Sequence, residues 1–128
     1  MKTLILKLTL LSFVLFISCS KQDTITPTVD DQKLEQLGKN IEVFAKNKAC
    51  SGGDNCRSMA MGAKICGGPT NYIIYSLSNT DEKKLAEMVN EYTILQKQIN
   101  LKNPNQAGTC DFVVAPEINC LNGICTSK

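Results

Sequence analysis

The sequence predicts an α+β fold: two helices packed on a small antiparallel sheet, stapled by three disulfides. Three observations lead there. Apolar residues recur at helical spacing over 30–48 and again over 80–101. Short β-rich runs lie between and after these segments, the last folded about Asn122-Gly123. Six cysteines, Cys50, Cys56, Cys66, Cys110, Cys120 and Cys125, occupy the same stretch. An even number in a small exported domain reads as a disulfide framework.

The first helix runs from Asp30 to about Lys48, with Asp30 or Asp31 as its cap and Leu34, Leu37, Ile41, Phe44 and Ala45 on one face. Gly38 weakens it by about 1 kcal/mol relative to Ala. Ser51 to Asn55 is a turn, and Cys56 to Met61 a strand in which Arg57, Met59 and Met61 alternate with Ser58 and Ala60. Gly62 ends that strand, and Lys64-Ile65-Cys66-Gly67-Gly68-Pro69 forms a tight corner. Tyr72 to Tyr75 is rich in β-formers. Thr80 caps the second helix, which runs to about Leu101 and carries Leu85, Met88, Val89, Tyr92, Leu95 and Ile99 on one stripe. Phe112 to Ala115 reads as a strand that Pro116 ends. Ile118 to Leu121 and Ile124 to Thr126 form a hairpin whose register sets Cys120 opposite Cys125.

Six cysteines allow 15 connectivities. The spacing favours Cys66 with Cys110, and the close pairs Cys50/Cys56 and Cys120/Cys125 joined to each other. With no Cys-x-x-Cys and no His in the chain, a zinc site is not expected. No cofactor is expected either. The same absence of His, with carboxylates on helix faces or in loops, argues against general acid–base catalysis. Paired cysteines offer no nucleophile. The expectation is a protein that is not an enzyme.

The N-terminus reads as an export signal. Lys2 and Lys7 precede an apolar run from Leu8 to Ile17, closed by Ser18-Cys19. A run of about ten residues is half the roughly twenty that span a bilayer. The alternatives are plain signal cleavage and a retained anchor. Leu15-Phe16-Ile17-Ser18-Cys19 resembles a bacterial lipobox, with Phe16 where the pattern prefers Leu. Ser18-Cys19-Ser20-Lys21 is similar to lipoproteins of the Bacteroidota. The resemblance implies lipidation of Cys19 by a diacylglyceryl group and an N-acyl chain such as palmitate, enough for stable anchoring. Ser20 in place of Asp favours the outer membrane, with the protein facing the periplasm or the cell surface. The organisation is then a signal peptide at 1–18, lipidated Cys19 and a polar tether over 19–29, and one domain at 30–128.

The formal charge of +2 belongs to the signal. Of 14 basic residues, Lys2 and Lys7 leave with it, so 12 basic side chains balance 12 acidic ones. A neutral chain without Trp carries neither the charge nor the stacking platform for nucleic acid. The expected partners are the membrane, through the lipid anchor, and an envelope or extracellular protein.

The corner is the most distinctive stretch. The Cys66-Gly67-Gly68-Pro69 turn, Tyr72-x-x-Tyr75-Ser76, the long helix and the Cys120-x-x-Gly123-x-Cys125 hairpin together resemble small uncharacterised bacterial exported domains. The resemblance spans about 75 residues and implies a fold but no activity. The glycines are expected where no Cβ fits. Lys64, Ile65, Gly67, Gly68 and Pro69 form the candidate binding loop, rigid between disulfides and so cheap to order on binding. The reading is a non-enzymatic binding or structural module; the alternative is a protease inhibitor presenting the Gly62–Pro69 loop with Lys64-Ile65 exposed.

Overall fold

A computed structural model describes residues 28–105 and 110–128. The signal at 1–18, Cys19 and most of the tether lie outside the described residues. Among the described residues, no helix is long and apolar enough to cross a membrane.

Helix α1 spans Val29–Phe44. Its cap is Thr28, whose extended backbone precedes the first turn. The Asp31 amide donates to the Thr28 hydroxyl (3.2 Å), and the Thr28 amide donates back to the Asp31 carboxylate (3.0 Å). This reciprocal capping box satisfies two otherwise orphaned donors. Asp30 or Asp31 was expected to be the cap; Thr28 takes that place, and Asp31 is the returning partner. The chain leaves the helix at Phe44, short of Lys48, because the following residues are drawn to the C-terminal hairpin. Cys125 donates to the Lys48 carbonyl (2.8 Å), and Cys50 donates to that of Gly123 (2.9 Å).

Strands β1 (Cys56–Met61) and β2 (Asn71–Ser76) pair antiparallel, with Cys56 opposite Ser76 and Met61 opposite Asn71. Helix α2 spans Glu82–Lys102. Asp81, not Thr80, caps it, accepting from the Lys84 amide at 3.0 Å. Thr80 is buried instead, its hydroxyl without a partner. Strands β3 (Ile118–Leu121) and β4 (Ile124–Ser127) close the chain as a hairpin with Cys120 opposite Cys125. Asn122 and Gly123 both take positive φ, 51° and 76°, the conformation a type I′ turn requires.

The architecture is α+β, with two separate two-stranded sheets where one was expected. A disulfide, rather than a backbone ladder, joins them, Cys56 of β1 to Cys125 of β4, while Cys50–Cys120 ties the loop before β1 to β3. The third bridge joins Cys66 to Cys110. The segment Phe112–Ala115 is not a strand. It is irregular, with Phe112 99% and Val114 79% exposed.

The core lies between the helices and one face of β1–β2. Ile41 of α1 and Ala45, which caps the helix's C-terminus, meet Leu85 and Val89 of α2 over Met61 and Tyr75, with Met59, Ile73 and Tyr92 packed beside them. The sheet residues in this set are odd-numbered, as the two-residue period of a strand demands. Ile41 and Leu85 are wholly buried, each burial being worth about 1.5–3 kcal/mol. Gly38 permits close helix contact, since a Cβ there would sit 3.3 Å from the Tyr92 ring. The helices run antiparallel, so the end of α2 lies beside the start of α1, where Lys102 pairs with Asp30 at 2.5 Å.

Candidate functional site: a corner held from both sides

The 62–70 segment connects β1 to β2. Its base continues the hairpin, with the Thr70 amide donating to the Met61 carbonyl (3.0 Å). Its tip is a second turn: the Lys64 amide donates to the Gly68 carbonyl (3.0 Å), and the Gly67 amide to that of Lys64 (3.1 Å). Gly67 and Gly68 turn the chain there with φ of 93° and 81°, and neither has an atom in the way of a Cβ. Their requirement is conformational rather than steric.

Gly62 is different. At φ 81°, a Cβ would stand 2.0 Å from the Thr70 hydroxyl and 2.4 Å from the Gln96 amide oxygen. The crowding marks where α2 grips the corner. Thr93 accepts from the Gly62 amide (3.0 Å), Gln96 accepts from the Ala63 amide (2.7 Å), and Asn100 donates to the Ala63 carbonyl (2.8 Å). Residues three and four apart lie on one helix face, so this ladder of side chains aligns with the backbone of the corner. It satisfies backbone groups that a sheet would otherwise pair.

The other flank is tied to the 110–113 segment. Cys66 is bonded to Cys110, and the Lys64 ammonium donates to the Asp111 carbonyl. Two grooves result, one on each side of Lys64. The larger, about 440 Å³, is lined by the Cys66–Cys110 bridge, Gly67, Gly68, Pro69 and Phe112. The smaller, about 340 Å³, is lined by Ile65, Lys97, Leu101 and Pro104.

The structure brings the five candidate loop residues into one turn. Ile65, Gly67 and Gly68 are exposed, while Lys64 and Pro69 are half-buried. Lys64 was expected at the exposed tip; its side chain instead forms the wall between the grooves. Sequence reasoning missed Thr93, Gln96 and Asn100, and the contribution of Phe112. A signal for the ladder existed. Each of these polar residues directly follows an apolar stripe position, Tyr92, Leu95 or Ile99.

The remaining cysteines lie at the opposite end, near the hairpin turn. Cys50 and Cys120 are half-buried, and Cys56 and Cys125 are 4% and 2% exposed. All six cysteines of the described residues are bridged. Away from the corner, Tyr75 sits with its ring buried and its hydroxyl donating to the Glu82 carboxylate. Burial first, then that hydrogen bond, pushes its phenol well above the ordinary value. It is a structural group inside the core, remote from either groove.

No protein-family model, curated protein or solved structure matches the chain.

Proposed function

We propose that this chain is a cell-envelope lipoprotein, anchored through Cys19 to the bacterial outer membrane, whose folded part is a non-enzymatic binding module. The corner Lys64–Pro69 is its recognition surface. The observation that carries the reading is a loop with an exposed tip and an immobilised base. Three α2 side chains and one disulfide hold it, so a partner pays little ordering entropy to engage it. Ile65, Leu101 and Phe112 are 44%, 81% and 99% exposed around the grooves, which suits a protein partner offering apolar side chains.

The test is site-specific photocrosslinking of the full chain in its membrane. A crosslinker replacing Ile65 gives a discrete adduct, and Phe112→Ser abolishes it. A crosslinker replacing Leu121, at the opposite end, gives none. Equal yields from both positions refute the corner as the recognition surface. Intact mass separately tests the anchor: a diacylglyceryl chain beginning at Cys19 supports it, and a chain without lipid removes it.

The second reading is a protease inhibitor. The doubly hydrogen-bonded tip and the adjacent bridge give the stiffness such a loop needs, with Ile65 as the exposed side chain. A panel of exported proteases decides it. Slowing of any enzyme by the wild type but not by Ile65→Ala supports inhibition, and no slowing, or equal slowing by both, removes it.

A further inference from the structure

The two bridges at the hairpin end lie against each other. The sulfurs of Cys50, Cys56 and Cys125 are all within 4.8 Å of one another, although Cys50 is bonded to Cys120 and Cys56 to Cys125. Access to the two bridges differs. Cys50 and Cys120 are half-buried, whereas Cys56 and Cys125 are nearly inaccessible. A thiol in solution therefore meets the Cys50–Cys120 bridge first. Opening that bridge leaves the Cys50 backbone in place, because its amide stays bonded to the Gly123 carbonyl at 2.9 Å. The freed sulfur remains beside the buried bridge, and only its side-chain torsion has to change.

We propose that these two bridges form a thiol–disulfide exchange site, in which an external dithiol opens Cys50–Cys120 and Cys50 then passes the opening to the buried Cys56–Cys125 bridge. In the first step a thiolate of the dithiol attacks the Cys120 sulfur. A mixed disulfide forms and Cys50 leaves as a thiolate. The second thiol of the dithiol attacks the dithiol sulfur of that mixed disulfide, releasing the Cys120 thiolate. The dithiol is oxidised by two electrons and the Cys50–Cys120 bridge is reduced. In the second step the Cys50 thiolate attacks the sulfur of Cys56 or Cys125. The Cys56–Cys125 bond breaks, Cys50 bonds the attacked sulfur, and the other sulfur leaves as a thiolate. This step is an isomerisation with no net electron transfer. Proximity makes it intramolecular and fast relative to attack by a second external thiol. The co-reactant is a small dithiol or an exported protein with paired thiols. Among the described cysteines, the Cys66–Cys110 bridge lies outside this cluster, with no third cysteine sulfur grouped with it.

The experiment treats the folded full chain with limiting dithiothreitol, quenches with acid, labels free thiols, and maps the bridges by mass spectrometry. Label on Cys19 is scored on its own peptide. The expected result is a new Cys50–Cys56 or Cys50–Cys125 bond in at least about a tenth of the opened molecules, a bias of tenfold or less between pairings. Native pairs and their reduced forms alone would overturn the proposal. The variant Cys120→Ser gives a second reading, with the thiol label appearing on Cys56 or Cys125 as well as Cys50. The matched variant Cys110→Ser keeps its label on Cys66. Label confined to Cys50 in the first variant overturns the proposal equally.

Discussion

Replacing Gly62 and Gly68 by Ala, one at a time, separates the grip of α2 on the corner from backbone strain. Both glycines have φ of 81°, so both substitutions force Ala into the left-handed region, at about 1–2 kcal/mol. At Gly68 nothing stands within 4 Å of the new methyl, and the cost ends there. At Gly62 the methyl displaces the Thr70 hydroxyl and the Gln96 amide oxygen. Thr70 then loses its bond to the Met61 carbonyl, about 1 kcal/mol, and the amide of buried Ala63 loses its acceptor, about 1–3 kcal/mol. Gly62→Ala is thus expected to exceed Gly68→Ala by about 2–4 kcal/mol. For a domain of this size that is at least about 8 °C in Tm. Thermal unfolding of the disulfide-intact chain, followed by circular dichroism, reads the difference. Losses equal within about 0.5 kcal/mol would refute the claim that Gln96 and Thr70 clamp the corner.

Three further outcomes follow from the same structure. Removing the corner bridge with Cys66→Ser and Cys110→Ser, 44 residues apart, is expected to cost about 4 kcal/mol by loop-closure entropy, read from the urea midpoint. Leu85→Ala, at a wholly buried site between the helices, is expected to cost 2–5 kcal/mol in the same assay. Tyr75 has a folded pKa raised above its unfolded value of 10.0, so its contribution is complete below that pH and lost as pH rises beyond it. The unfolding midpoint is expected to fall above pH 10, and Tyr75→Phe to flatten that fall, with Tyr92, also raised by burial, supplying the remainder. Identical alkaline slopes in both proteins would contradict the role given to the Tyr75 phenol.

Much of the fold is legible in the chain because its signals are local. The α2 stripe, the Asn122-Gly123 turn and the alternation in β1 each arise within a few residues, and each element forms where its pattern stands. The cap of α2 is legible only to within one residue, since Thr80 and Asp81 are both good caps and burial of Thr80 chooses between them. The Phe112–Ala115 run has strand composition but gains no partner strand, and composition alone does not pair a strand.

By itself the sequence determined the class, the two helices, the hairpin and the presence of a cysteine framework, all set by periodicity, turn chemistry and count. Only the tertiary structure decided what the corner is. Its backbone is held by Thr93, Gln96 and Asn100 from 31, 33 and 37 residues away, and its Lys64 reaches a carbonyl 47 residues on. The convergence of three sulfurs from Cys50, Cys56 and Cys125 is likewise long-range. Such contacts exist only after the chain has closed on itself, because hydrogen bonds and disulfides between distant residues depend on packing geometry that local patterns do not encode.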